Sequence, residues 1–307
     1  MILVTGATGF VGKNVCRLLK ARGLKFEGTS KSLGVDLTDE SAASALFMKI
    51  KPEYVLNCAS FVGGIEFGYR YPADIFRNNM PMIANLFEAA RQSGVKRIVN
   101  PLSNCVYPAA STLFREAEFW DGPLHESVMV YGLLRKLSWA GSWAYKRQYG
   151  LDTLNLVLSN MYGPDDHFDE VRSHALSALI KKFVDAKRAG ASEVVVWGTG
   201  TPVREWLYVE DGAEAMIRGI GCASAEGPVN VGVGEGISIK ALAELVREHV
   251  GYAGGIVLDE TKPDGARHKT VDGRAGAELL CWSPPTKLVA GIKLTVEWYM
   301  RNWETCG

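Results

Sequence analysis

Tyr131 and Arg135 stand four residues apart in a stretch, 131–149, whose pattern predicts a helix. Residues at i and i+4 share a helix face. A cation on that face lowers a phenol's pKa and makes it a usable acid or base. Ser103, just after a predicted strand, is placed to hydrogen-bond the same reacting oxygen. Lys136 is adjacent but cannot stand in for Arg135. Position i+4 falls about 40° from Tyr131 around the helix, and i+5 about 140°.

A second constellation opens the chain. Gly6, Gly9 and Gly12 follow a short apolar strand, 2–4, and interleave with the start of a helix-like run, 11–22. Glycine lets the backbone turn sharply and approach a ligand closely. The helix start offers free N–H groups and a positive dipole end to a pyrophosphate. The expected dinucleotide cradle is Gly6, Thr8, Gly9, Phe10, Val11 and Gly12, with Ala59 beyond the third strand. An acidic residue at the tip of the second strand would bind an adenosine 2′-hydroxyl and disfavour a 2′-phosphate. Here Glu27 lies within the strand, and the tip carries Ser30 and Lys31, which suit a phosphate. NADP is therefore preferred over NAD. Asp36 and Leu37 are expected to line the adenine pocket, with a plain turn as the alternative for Asp36.

Alternating strands and helices must position these groups. Strands are expected at 2–4, 25–28, 54–57, 97–100 and 154–158, with helices at 11–22, 41–49, 81–93 and 131–149. That alternation predicts an α/β fold, a Rossmann-type doubly wound parallel sheet with a smaller C-terminal α/β substrate lobe. The turn-rich break after Asn160 sets the expected boundary. Residues 1–160 form the dinucleotide-binding domain and 161–307 the substrate-binding lobe, with about 203–221 returning to the first. In the second part a helix is expected at 173–188 and a strand at 193–197. Lys plus Arg (34) balances Asp plus Glu (34), which gives no electrostatic ground for a nucleic-acid or acidic-membrane partner. No apolar run approaches the roughly 20 residues that span a bilayer, and no charged-then-apolar leader is expected. Six cysteines without CxxC spacing read as reduced thiols in a cytoplasmic protein. Five histidines without HxxxH spacing predict no metal site.

With its glycine loop, Ser103 and Tyr-x-x-x-cation pair in order, the chain resembles the extended short-chain dehydrogenases/reductases. It departs from them at Arg135, where that family has lysine. Arginine is not interchangeable with lysine as a compact donor to a nicotinamide ribose. Further segments narrow the likeness: 59–65 (Ala-Ser-Phe-Val-Gly-Gly-Ile), 71–74, 103–108, 160–164, 173–175, 196–205 and 262–265 (Lys-Pro-Asp-Gly). They are collinear and similar to the GDP-fucose synthase family, NADP-dependent epimerase/reductases of GDP-4-keto-6-deoxymannose.

That resemblance implies Cys105 and His174 as an epimerisation acid/base pair. A C4 ketone acidifies the hydrogens on C3 and C5, and inverting those centres needs a base on one face of the sugar and an acid on the other. It implies Arg204 as a diphosphate or sugar contact, Lys182 where the family has arginine, and Arg267 or Lys269 closing over the nucleotide. Gly64, Ser103, Asn104 and Asn160 complete the expected substrate pocket. Trp197 and Trp206 are candidates to stack on the base, with core packing as the competing assignment. Thr8 stands where the family's loop often carries an arginine, so the NADP preference leans on Ser30 and Lys31. Trp139 and Trp143, with the helix at 81–93, imply a homodimer interface, packing within the subunit being the alternative.

The implied function is an NADPH-dependent enzyme that epimerises a nucleotide-linked, GDP-linked 4-keto-6-deoxy sugar at C3 or C5 and then reduces C4. Epimerisation comes first, because reduction removes the ketone that acidifies the hydrogens. Two enzyme alternatives stay open: a C4 reductase without epimerisation, and an epimerase that retains NAD. A catalytically silent NADP-binding sensor is the alternative from another class. The presence of Tyr131, Cys105 and His174 argues against it.

Overall fold

The computed structural model describes residues 1–169, 172–262 and 264–306. Pro263 of the 262–265 segment lies outside the described residues. The strands are β1 (Ile2–Thr5), β2 (Phe26–Thr29), β3 (Tyr54–Asn57), β4 (Arg97–Ser103), β5 (Leu113–Phe114), β6 (Asp152–Leu158), β7 (Asn160–Tyr162), β8 (Glu193–Trp197), β9 (Val203–Tyr208), β10 (Val229–Val231), β11 (Gly236–Ser238), β12 (Gly255–Asp259) and β13 (His268–Val271). The helices used below are α1 (Phe10–Ala21), α2 (Glu40–Ile50), α3 (Ile65–Arg70), α4 (Pro72–Ser93), α5 (Met129–Tyr149), α6 (Ala175–Ala189), α7 (Val209–Arg218) and α8 (Ile239–Val250).

Six strands lie side by side in the order β10-β6-β4-β3-β1-β2, all parallel. Every residue of β1 is buried, as a strand covered on both faces requires. Alternate residues feed two cores. Val4, Leu56 and Val99 meet α1 and α7 through Val15, Leu19 and Met216. Leu3, Val55 and Ile98 meet α2 and α4 through Phe47, Leu86 and Phe87. This is the expected Rossmann-type doubly wound sheet. After β7, α7 packs on α1 and β10 pairs with β6. The remaining strands build a second sheet, β11-β9-β13-β5 with β7 on β9, and a β12-β8 pair. A third core unites α6, α8 and β9. Among the described residues no helix is long and apolar enough to cross a membrane.

The largest difference from the expected elements is α4. It begins at Pro72 and runs through Pro81, where the sequence suggests a start. Proline suits a first helical turn and costs about 3 kcal/mol or more inside a helix. Packing of α4 against α2 and α5 offsets that cost.

One polar row crosses the sheet, from the ends of β1 and β3 to the middle of β4 and β6. Thr5 Oγ1 donates to Asn57 Oδ1 (2.7 Å), and Asn57 Nδ2 to Asn100 Oδ1 (3.0 Å). Asn100 Nδ2 donates to Asn155 Oδ1 (2.8 Å) and Ser138 Oγ (3.0 Å). Asn155 Nδ2 donates to Ser142 Oγ (2.8 Å). All six residues are buried. An unpaired member would cost about 1–3 kcal/mol, so the row defines one register. It ties the strand entering the glycine loop to α5, the helix of Tyr131.

Candidate active site

Gly6 turns with φ +63°, and a Cβ there would lie 2.5 Å from the Cys58 carbonyl oxygen. A Cβ at Gly12 would lie 2.1 Å from the Gly6 carbonyl oxygen. Only glycine allows α1 to seat this closely. Gly9 occupies the N-cap of α1, and among the described residues no side chain caps it. The N–H groups at Phe10 and Val11 thus face outward with the helix dipole behind them, which fits a pyrophosphate. Beside them Thr8 Oγ1 donates to Ser30 Oγ (2.9 Å) and contacts Ser32 Oγ (2.8 Å). This hydroxyl cluster at the tip of β2, with Lys31 adjoining, fits a ribose 2′-phosphate. Lys31 Nζ also pairs with Asp36 Oδ2 at 2.7 Å. That bond, then Thr38, holds the Asp36 carboxyl down at about 2. Asp36 is therefore a turn and ion-pair residue. Leu37 differs from expectation: its side chain packs in the core with Ala43, Phe47 and Val55, because an apolar residue here caps the α2–α4 contact. Ala59 N–H donates to Thr5 Oγ1 at 3.3 Å, joining its loop to the polar row.

At the start of α5, a Cβ on Gly132 would lie 2.5 Å from the Cys105 carbonyl oxygen. The helix therefore rests directly on the turn that carries Cys105. Arg135 is buried, with its Cζ 4.7 Å from the Tyr131 ring centroid. Its Nη2 donates to Ser60 Oγ, which lies 3.3 Å from Tyr131 Oη. Lys136 does leave this face. Its Nζ sits 5.2 Å from the Trp120 ring and 5.4 Å from Phe119, and burial lowers its pKa. Ser60 escaped the sequence reading, although it stands inside the 59–65 segment. Its only sequence signal is a hydroxyl three residues beyond Asn57, the end of β3.

Ser103 Oγ accepts from Cys105 N–H at 3.3 Å and so shapes the turn. Lys269 Nζ approaches Cys105 Sγ at 4.0 Å. Burial holds His174 below the ordinary histidine range, and the Lys269 charge adds to that. Its Nδ1 is buried without a hydrogen-bond partner among the described residues. Gly64 sets the 63–65 turn against it: Gly64 N–H donates to Arg172 O (3.0 Å), and a Cβ would lie 2.4 Å from Ser173 O. Arg204 is buried beside them, its pKa pushed down to about 10 by burial against the pull of Asp264 and Cys105. His125, which sequence reasoning passed over, is also held low, by burial and then by Lys269 and Arg204. Cys105, His174, Arg204 and Lys269 thus converge. Lys269 reaches the thiol, while Arg267 is exposed. Asn104 is buried beneath the turn, and Asn160 Nδ2 donates to Glu205 O at 3.1 Å.

The two tryptophan candidates separate. Trp206 is 5% exposed and belongs to the lobe core, whereas Trp197 is 50% exposed. Lys182 and Lys262 flank the Trp197 ring at 5.0 and 5.2 Å, and Lys182 Nζ also donates to Val195 O (2.9 Å). Likewise Trp139 packs within the subunit against Phe119 and Trp120, while Trp143 is exposed.

Comparison with known proteins shows the family of the chain. The NAD dependent epimerase/dehydratase family model matches residues 2–232. GDP-L-fucose synthase 1 of Arabidopsis thaliana is 36% identical, over 98% of this chain and 93% of its own. A GDP-L-fucose synthetase from Naegleria fowleri, solved bound to NADP, superposes with a TM-score of 0.90 at 29% identity, over 99% of this chain and 95% of that one. A GDP-6-OMe-4-keto-L-xylo-heptose reductase from C. jejuni superposes with a TM-score of 0.92 at 25% identity, over 98% and 97%. The chain belongs to the NAD-dependent epimerase/dehydratase family and, within it, to the GDP-L-fucose synthases.

Proposed function

We propose that this protein is an NADPH-dependent epimerase/reductase of a GDP-linked 4-keto-6-deoxy sugar, inverting C3 or C5 before reducing C4. The observation that carries this is two proton-handling centres joined where α5 rests on the Cys105 turn. Cys105 has Lys269 at 4.0 Å, and the helix of Tyr131 rests on the Cys105 carbonyl. Cys105 and His174 move protons on and off the carbons beside the ketone, with the Lys269 ammonium steadying negative charge on sulfur. Gly6, Thr8, Gly9, Phe10, Val11 and Gly12 hold the cofactor, with Ser30 and Lys31 on its 2′-phosphate. Bound NADPH supplies the hydride for C4. Tyr131 gives its proton to O4, with Ser103 orienting that oxygen and Arg135 supplying positive charge. Arg204 and Lys182 meet the diphosphate and sugar, Trp197 stacks on the base, and Asn160 and Gly64 shape the pocket wall. The free thiols at Cys16, Cys58, Cys105, Cys222 and Cys281 fit a reducing, cytoplasmic setting.

The test is to convert GDP-4-keto-6-deoxymannose with NADPH in deuterated water and read the product by NMR. Reduced sugar with solvent deuterium at C3 or C5 is the expected result. Reduced sugar without deuterium moves the assignment to plain C4 reduction, the second reading, which the likeness to the heptose reductase favours. Absence of reduction removes the proposal.

The same reading includes a homodimer. Phe76 and Met80 on α4, and Leu133 and Leu137 on α5, are one helical turn apart in each pair and are exposed on helices that pack together. Such a stripe is the apolar seam of a four-helix interface. Sedimentation should give twice the 33.5 kDa chain mass. Leu133→Glu, which buries an unpaired charge in that seam, should give the single-chain mass. A wild-type monomer refutes the interface.

A further inference from the structure

Ser60 is exposed to the cleft and touches three groups. Its Oγ lies 3.3 Å from Tyr131 Oη and 3.3 Å from Asn79 Oδ1, and it accepts from Arg135 Nη2. A hydroxyl has one hydrogen and two acceptor lone pairs. Arg135 occupies one lone pair. The single hydrogen has two acceptors in reach, Asn79 Oδ1 and Tyr131 Oη. Arg135 itself lies over the face of the Tyr131 ring, so Ser60 is the polar bridge between guanidinium and phenol oxygen. Tyr131 belongs to an apolar cluster with Phe61, Phe67, Tyr71, Ile75, Ile83, Val130 and Leu134. Tyr71 is the other titratable group of that cluster; the charged groups against its rings are Arg135 over Tyr131, Arg70 over Tyr71 (5.3 Å) and Arg172 over Phe67 (6.0 Å).

We propose that Ser60 is a switching hydrogen-bond donor to the Tyr131 oxygen, carrying the charge of Arg135 to it during reduction. This rests on the reading of Tyr131 as the acid. Before reaction the Ser60 hydrogen points to Asn79 Oδ1. As the Tyr131 O–H bond breaks and its proton bonds to O4, Ser60 turns its hydrogen to the phenolate. Ser60 and Arg135 keep their own protons throughout, and water returns a proton to Tyr131 after the product leaves. The switch is cheap, because Asn79 keeps its other bonds when Ser60 turns away. Its Oδ1 accepts from Phe61 N (3.0 Å), and its Nδ2 donates to Phe61 O (2.8 Å) and Ile75 O (2.7 Å). The charged donor strengthens the Ser60 hydrogen bond when the oxygen becomes an anion.

Ser60→Ala tests this in two ways. On the sugar, kcat for reduction should fall about tenfold or more, with KM within about twofold and deuterium exchange into the sugar unchanged. In the cofactor-free protein labelled with 13C-tyrosine, the Tyr131 Cζ resonance, identified by its loss in Tyr131→Phe, should reach its phenolate position at higher pH than in wild type. Ser60→Thr should restore both readouts. Ser60→Cys, nearly isosteric and a weaker donor, should fall between and serves if the alanine variant does not fold. A Tyr131 resonance that titrates as in wild type in the alanine or cysteine variant overturns the proposal, as does equal loss of reduction and exchange. The resonance needs no sugar, so a wrong substrate assignment and a wrong role for Ser60 give different results.

Discussion

Tyr131→Phe should lower NADPH oxidation by about a thousandfold, or about 4 kcal/mol of barrier, while leaving deuterium exchange at C3 and C5 within about twofold of wild type. In the proposed mechanism the phenol is the proton source for O4, and phenylalanine keeps the ring while removing only the oxygen. The packing around Phe67 and Ile75, and the stacking of Arg135 on the ring, both survive the change. Cys105 and His174 are untouched, so the first half of the reaction continues on a ketone that is no longer consumed. The measurement is NADPH absorbance beside NMR of the same incubation. Reduction at wild-type rate in this variant would remove Tyr131 from the chemistry.

Cys105→Ser should show the mirror image: exchange down about a hundredfold or more, with direct reduction of the uninverted ketone retained and its product free of solvent deuterium. Serine fills nearly the same space, but its hydroxyl is a far weaker acid than a thiol. The wild-type exchange rate should also carry the mark of His174. Burial and Lys269 hold that imidazole below the ordinary value near 6.5, so its neutral, proton-accepting form dominates at neutral pH. Exchange should therefore stay level through neutrality and fall only as pH drops below about 6.5. Deuterium entering at the wild-type rate in Cys105→Ser, or an exchange rate that falls already above that pH, would count against the pair.

Much of this was legible in the residues. The glycine loop is read easily because backbone clearance at Gly6 and Gly12 leaves no other residue type possible. Tyr131 and Arg135 are read because helix geometry alone puts them on one face, and the same geometry sends Lys136 to the Trp120 side. What sequence spacing cannot carry is contact between distant segments. Lys269 meets Cys105 across 164 positions, and Ser60 meets Tyr131 across 71. The character of a residue also hides its setting. Trp139 and Trp143 look alike on one helix, yet the 119–120 loop covers only the first. Leu37 follows an aspartate in the loop before α2, where ligands often sit, but an apolar side chain is drawn into whichever core lies beneath it. Pro81 reads as a helix start because proline interrupts helices, and only the packing of α4 shows that it does not.

The missing side chain at Gly132 makes the helix of Tyr131 and the turn of Cys105 parts of a single solid piece. In the proposed mechanism a ketone seated there does not travel between stations; both steps come to it. Exchange of one side chain can therefore remove one step alone, whereas a backbone shift at this joint would disturb both together.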